Sequence, residues 1–347
     1  MSAELGLRLS HRPGHLLDSV ITISDPPEPM DANFQDRLSS TGTLNRLPIE
    51  LVYEVLGSLD FQSITRFARV SIRGKNIVQS FPAYRHLMNH APDALAALGQ
   101  TRLLSLYSAS HLLATLRSER CATCPEYGAY LFLLTCERCC WECLKSQPLR
   151  RVLTPSGAGR VFALTPKMVK QLPVQFSIPG IYKISREVKQ RSFRLCSIPA
   201  AKKLAMSVHG SAESLTRVVT RKGPKRSTEY LQAVLSACTY VDQLTIPIRG
   251  YLGADRYFGM SFIPFPSLTA PDMIEHGLWC KGCEWTFDQY SRGRLPSRVI
   301  ADMVPGKLDP DRILLGMARR ARSRMGHVAH VQHCYGAQRL LAVRRLE

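Results

Sequence analysis

The sequence predicts a predominantly helical α+β chain: a three-helix unit near the N-terminus, then a longer mixed region of short strands and helices stapled through cysteines. Three observations carry this. Apolar residues recur at helical spacing at Leu51, Val52, Val55, Leu56 and Leu59, and again at Ile64, Phe67 and Ala68. Beyond them, short apolar runs alternate with proline- and glycine-marked breaks. Six of the eleven cysteines fall in the 23 residues from Cys121 to Cys143.

Size and composition bound the reading. A chain of 347 residues suits about two domains at roughly 150 residues each. With 45% hydrophobic and 21% charged residues, a fibrous or wholly disordered protein is excluded. Cysteine, at 11 residues, is far below the roughly 8–10% of a secreted disulfide scaffold. The first twenty residues lack the apolar core and cleavage pattern of a signal peptide. The longest apolar stretches, such as Ala129–Leu134, are much shorter than the ~18–20 residues that span a bilayer. The expectation is an intracellular protein, cytoplasmic or nuclear, with no membrane association. In a reducing compartment, paired cysteines are metal ligands before they are disulfides.

Taken in order, residues 1–43 are polar and proline-bearing (SDPPEPMD, then SSTGT) and read as a disordered tail. Order begins at LNRLPIELVYEVLGSLD, where Pro48 suits a first helical turn and Asp60 ends one helix and caps the next. Gly74 interrupts, and a third short helix runs about Lys75–Phe81. Further helices are expected over Pro92–Leu98 and over Ser110–Leu116, the latter capped by Ser108 or Ser110. Ala129–Leu134 reads as a strand and Glu137–Lys145 as a short helix. PSGAG at 155–159 reads as a turn, Val161–Leu164 as a strand, and Thr165-Pro166 as a helix start. Helices are expected over Ala200–Val208 and Thr228–Ala237, GPKRST at 223–228 as an exposed loop, and one helix from about Pro310 to Leu346.

The first metal constellation is C-x2-C-x15-C-x2-C, formed by Cys121, Cys124, Cys140 and Cys143. Zinc takes four soft ligands in a tetrahedron, and two C-x-x-C pairs joined by a hairpin supply them. Cys136 and Cys139 form a rival second pair, so that choice stays open. The second constellation is Cys280-x-x-Cys283, completed across a long gap by His330-x3-Cys334. On a helix, positions four apart share a face. His327 and His333 are neighbouring alternatives. Both sets fill all four positions with protein, which describes structural zinc (two ions) rather than a catalytic metal with an open position.

No nucleotide-binding glycine loop, H-E-x-x-H or G-x-S-x-G motif is present, and no catalytic residue is assigned. Cys196 and Cys238 read as packed thiols. The balance of 46 Lys+Arg against 27 Asp+Glu, +19, is spread along the chain, with local runs at Arg217–Arg226 and Arg319–Arg324. Those runs read as solvated before they read as a phosphate-tracking surface.

LPIELVYEVLGSLDFQSITRFARVS resembles the F-box. Leu47, Pro48, Glu50, Leu51, Val55, Leu56, Leu59, Ile64 and Val70 stand at that family's signature positions. Where many F-boxes continue with a basic residue and a tryptophan, this chain has Ser71, Ile72, Arg73 and Gly74. The order of parts, an F-box, then CxxC…LLTCERCCWECL, then GLWCKGCEW and a terminal H-x3-C, is similar to F-box proteins common in filamentous fungi. The resemblance implies a non-catalytic adaptor of a cullin–RING (SCF-type) ubiquitin ligase. Its F-box, residues 44–92, would dock on a Skp-type adaptor. Its zinc-stabilised remainder, 93–347, with the first cysteine cluster at 121–143 and the second site at 280–334, would bind a protein substrate. The competing reading is a zinc-stabilised nucleic-acid-binding or regulatory protein.

Overall fold

The computed structural model describes residues 3–30, 39–182, 187–211, 214–215, 217–218, 255–270, 273–306 and 308–343. The expected helix Thr228–Ala237, the loop 223–228, Cys238 and most of the basic run at 217–226 lie outside the described residues. Helices dominate and the sheets are small, so the α+β class holds.

Within the stretch 1–43 read as a tail, residues 3–30 carry secondary structure and buried side chains. They form α1 (Ala3–Arg8), β1 (Ser10–His11) and α2 (Gly14–Leu17). Leu9, Leu16, Val20 and Ile21 are all buried. The strand pairs antiparallel with β12 (Trp279–Cys280), setting Ser10 opposite Cys280. Ile21 N–H then donates to the Phe262 carbonyl. A few apolar residues suffice because the chain that pairs with them, at Phe262 and Cys280, is far away in sequence and already part of a core.

The next helices are α3 (Ile49–Ser58), α4 (Phe61–Phe67), α5 (Ile72–Ser80), α6 (Pro82–His90), α7 (Pro92–Gln100) and α8 (Ala109–Arg117). Their starts follow local chemistry: the side chains of Asp60, Ser71 and Ser108 accept from the N–H groups of Ser63, Gly74 and His111, and prolines open α6 and α7. Val52, Leu56, Phe61 and Ile64 share one core with Leu87, Leu95, Leu98 and Leu112. That core continues into a three-stranded antiparallel sheet of order β3–β2–β9, made by β2 (Tyr130–Phe132), β3 (Glu137–Cys139) and β9 (Phe262–Pro264). The helix expected over Glu137–Lys145 is therefore a strand followed by α9 (Trp141–Ser146).

A second core joins β4 (Val152–Leu153), β8 (Arg194–Ser197) and β5 (Gln175–Phe176) to α10 (Pro155–Val161), α11 (Pro166–Val169) and α12 (Ile198–His209). Here PSGAG is helix, not turn, and Val161–Leu164 is not a strand. Thr154 caps Gly157 N–H, Pro155 opens the first turn, and the small residues let Ala158 and Val161 bury against β8. Between β5 and β8 stands the hairpin of β6 (Gly180–Tyr182) and β7 (Glu187–Lys189).

After the hairpin of β10 (Ser267–Ala270) and β11 (Met273–Glu275) come α13 (Lys281–Ser291), α14 (Ser297–Met303), α15 (Pro310–Ala318), α16 (Arg324–His333) and α17 (Tyr335–Val343). The single helix expected over Pro310–Leu346 is thus three. The break at Arg319–Ser323 is tied down from outside: Arg322 and Leu278 exchange backbone hydrogen bonds, and Trp279 Nε1–H donates to the Arg319 carbonyl.

Candidate metal centres and docking face

The structure brings the first four thiols together. Cys121 and Cys124 lie in the turn before β2, Cys140 is the N-cap of α9, and Cys143 sits in its first turn. All four Sγ atoms lie within 4.8 Å of one another, with Cys124 at 3.6 Å from both Cys140 and Cys143. A tetrahedron with ~2.3 Å zinc–sulfur bonds has edges of ~3.8 Å, and a disulfide requires ~2.05 Å, so the spacing fits a metal cage. The backbone N–H groups of Thr123 and Cys143 point at the sulfurs of Cys121 and Cys140, at 3.4 and 3.5 Å. Hydrogen bonds from neighbouring thiols, Cys124 foremost, pull Cys121 far below the ordinary thiol range, so one sulfur of the four gives up its proton readily.

Cys136 and Cys139 stay outside this cage. Cys139 closes β3 opposite Tyr130, its thiol directed at the Cys140 carbonyl, and burial raises it well above a normal thiol. Cys136 has a left-handed backbone (φ 51°), its carbonyl accepts from Thr115, and burial pushes its thiol up to about 12. The turn and β3 hold Cys136 and Cys139, and the N-terminus of α9 presents Cys140 and Cys143. Cys196, likewise buried and pushed up to about 12, is a packed thiol.

The second set also converges. Cys280 ends β12, Cys283 opens α13, His330 lies on α16 and Cys334 caps it. Cys334 Sγ is 3.8 Å from both Cys280 and Cys283, and His330 Nε2 is 3.1 Å from Cys283 Sγ. Neighbouring thiols, Cys283 foremost, lower Cys280 strongly. Two glycines make the approach possible. A Cβ on Gly282 would overlap the Ala337 backbone, and one on Gly336 would overlap the Gly282 carbonyl, so α13 and α17 cross at backbone contact. His327 turns away, its Nε2 at 3.2 Å from the Gly6 carbonyl, and His333 is exposed. Each set of soft donors could hold a metal ion, and each is closed by protein ligands.

Sequence reasoning missed two buried arginines beside the first set. Arg138 donates to five main-chain carbonyls, those of Thr115, Leu116, Gly128, Phe265 and Pro266. Burial lowers it to about 10. Arg150 bonds Glu137 at 2.5 Å and the Thr123 hydroxyl at 3.2 Å, bracing the first C-x-x-C turn. No local pattern marks them as buried: Arg138 follows Glu137 and Arg150 precedes Arg151, as surface charges do.

The first helical unit leaves one face bare. Leu47, Ile49, Leu51, Val55 and Val70 are five of the twelve large hydrophobics exposed among the described residues, and they fall within 24 positions. Pro48 and Glu50 lie exposed beside them. Leu56 and Ile64 are both buried in the main core, where they fasten α3 and α4 to the body, and Leu59 packs half-buried against that core. Gly74 explains the missing aromatic: a Cβ there would stand 2.8 Å from the Phe67 carbonyl, so the α4–α5 corner closes on bare backbone.

Leu51 and Val55 lie four residues apart on α3, so this exposed apolar surface includes neighbours on one side of a helix. Residues 44–86 match the F-box domain family. No curated protein and no solved structure matches the chain. An F-box domain implies, in general, a substrate adaptor of an SCF-type ubiquitin ligase, a class of typically non-catalytic proteins that bind Skp-type adaptors. Among the described residues, no helix is long and apolar enough to cross a membrane.

Proposed function

We propose that the chain is the substrate-recognition subunit of a cullin–RING ligase, acting inside the cell. Residues 44–92 dock on a Skp-type adaptor, and the region 93–347, stapled by two structural zinc ions, presents the substrate-binding surface. The observation that carries the reading is the unpartnered face of Leu47, Ile49, Leu51, Val55 and Val70 on an otherwise well-packed helical unit. Leu47, Pro48, Glu50, Leu51, Val55 and Val70 form the contact, while Leu56, Leu59 and Ile64 support it from beneath.

Zinc is the metal best matched to four thiolates in one site and three thiolates with an imidazole in the other. Bound there, it supplies crosslinking in place of a larger core. The first site pins the 121–124 turn to α9, and the second pins α13 to α16. Co-purification with a Skp-type adaptor tests the docking role. L47A combined with L51A should abolish recovery of the adaptor, and unchanged recovery would refute the assignment.

A further inference from the structure

Residues 3–11 reach across the second cysteine set. Helix α1 packs on α16, where Gly6 lies against Val328 and His327 Nε2 stands 3.2 Å from the Gly6 carbonyl. Lys281 N–H donates to the Leu9 carbonyl at 2.9 Å, and Lys281 Nζ donates to the Arg8 carbonyl at 3.2 Å. Ser10 and His11 then pair with Cys280 and Trp279, and His11 Nε2 lies 3.3 Å from Glu284. Every one of these contacts falls on, or within three residues of, Cys280, Cys283 or His330.

Leu9 is the side chain this course delivers. It is 2% exposed and shares a core with Cys280, Cys283, Cys334, Val331 and Ala337. It also lines a cavity of about 440 Å³, together with Leu340, Lys281, Glu284, Trp285 and Asp288. Leu9 and Leu340 thus belong both to the cavity wall and to the packing around the cysteines. A competing ligand entering by the cavity meets these two leucines before the sulfurs.

The two leucines are held differently. Leu340 is carried by α17, which the close approach of Gly282 and Gly336 fixes against α13. Leu9 is carried by a two-residue strand and the six-residue α1. Short terminal segments open locally at far less cost than global unfolding. Leu16, Val20 and Ile21 are anchored in the main core, so such an opening ends before them.

We infer that residues 3–11 form a strap that governs exchange at the second metal centre. Closed, the strap completes an apolar shell that keeps competing ligands, such as free thiols and chelating carboxylates, away from Cys280 and Cys283. Lifted, it exposes those two sulfurs while α13 and α16 stay folded. The first set lies in the main core and is indifferent to the strap. The inference rests on the reading that the second set holds a metal ion.

The test follows release of metal from the full chain to the coloured chelator pyridylazoresorcinol. Wild type, L9S, L9A and L9M are compared, each also in a C140S background so that only the second centre contributes. L9S should release the second ion at least about tenfold faster than wild type, the effect of losing one buried leucine from the strap. L9A should fall between, and L9M should match wild type. The first ion should leave at one rate throughout, which separates a lifted strap from a general loss of stability. Amide exchange at Lys281, whose N–H bonds the Leu9 carbonyl, should quicken in step with release. Should L9S not accumulate as folded protein, the difference between L9M and L9A decides. Equal acceleration of both ions overturns the inference. So does release of the second ion that is indifferent to Leu9, as a route past the half-buried His330 would give. A C140S chain that carries no metal would overturn the metal reading and the strap together, whereas a loaded centre insensitive to Leu9 would overturn the strap alone.

Discussion

Neighbouring cysteines in the first cluster should behave oppositely when each is changed to serine. Cys140 is one of four sulfurs within 4.8 Å of one another, whereas Cys139 faces the Cys140 carbonyl from the end of β3. A structural zinc site binds with an apparent 10–16 kcal/mol, so each of four ligands carries roughly 3 kcal/mol of it. The site ties the 121–124 turn and α9 to a sheet whose Tyr130, Leu131 and Phe132 are wholly buried, so its loss is felt across the main core. At about 2–4 °C per kcal/mol for a domain of this size, C140S should melt about 6–12 °C lower. It should also lose one of two metal equivalents by elemental analysis. C139S places a hydroxyl in an apolar site for about 1–2 kcal/mol and should keep both metals. The reasoning fails if C139S loses metal while C140S retains it, or if carefully purified wild type contains none.

G336A should separate α13 from α17, because its methyl would meet the Gly282 carbonyl; metal content should fall by one equivalent, with the first site intact. Arg138→Met strands five buried carbonyls and should cost at least about 3 kcal/mol, read by urea unfolding. Burial lowers the pKa of His11, His276 and His327 below 6.5. The unfolded chain therefore binds more protons just below that pH, so stability should decline as pH falls from about 6.5 toward the folded values. H276Q should flatten the decline in thermal melts, and an unchanged slope would contradict it.

How much of this was legible depended on whether the signal was local. The helical unit at 49–80 could be read because its caps and its periodicity lie within a few residues of each other. The eight cysteine and histidine positions that converge were visible as spacing, but the choice between Cys139 and Cys140 was not. It turns on β3 running through Cys139 and α9 starting just after Cys140, a boundary finer than residue patterns define. Periodicity also could not separate Leu56 from Val55, since which side of α3 is covered depends on α8 and the body behind it. The N-terminal segment was illegible for the same reason at larger scale. Leu9, Leu16, Val20 and Ile21 are too sparse to form a stripe, and their partners lie at Phe262, Cys280 and Val331. PSGAG misled because glycine and proline punctuate most chains, whereas here a proline at the first turn and small residues at a close contact build a helix.

The docking role is tested most directly by titrating a purified Skp-type adaptor into the wild-type chain and into L51A combined with V55A, with calorimetric detection. Each residue is 45% exposed, so covering it adds about 1 kcal/mol. The double variant should bind roughly thirtyfold more weakly, the equivalent of ~2 kcal/mol, and melt with the wild type. Wild-type chain that releases no binding heat, or a double variant that binds as tightly as wild type, would contradict the assignment of this face to the ligase.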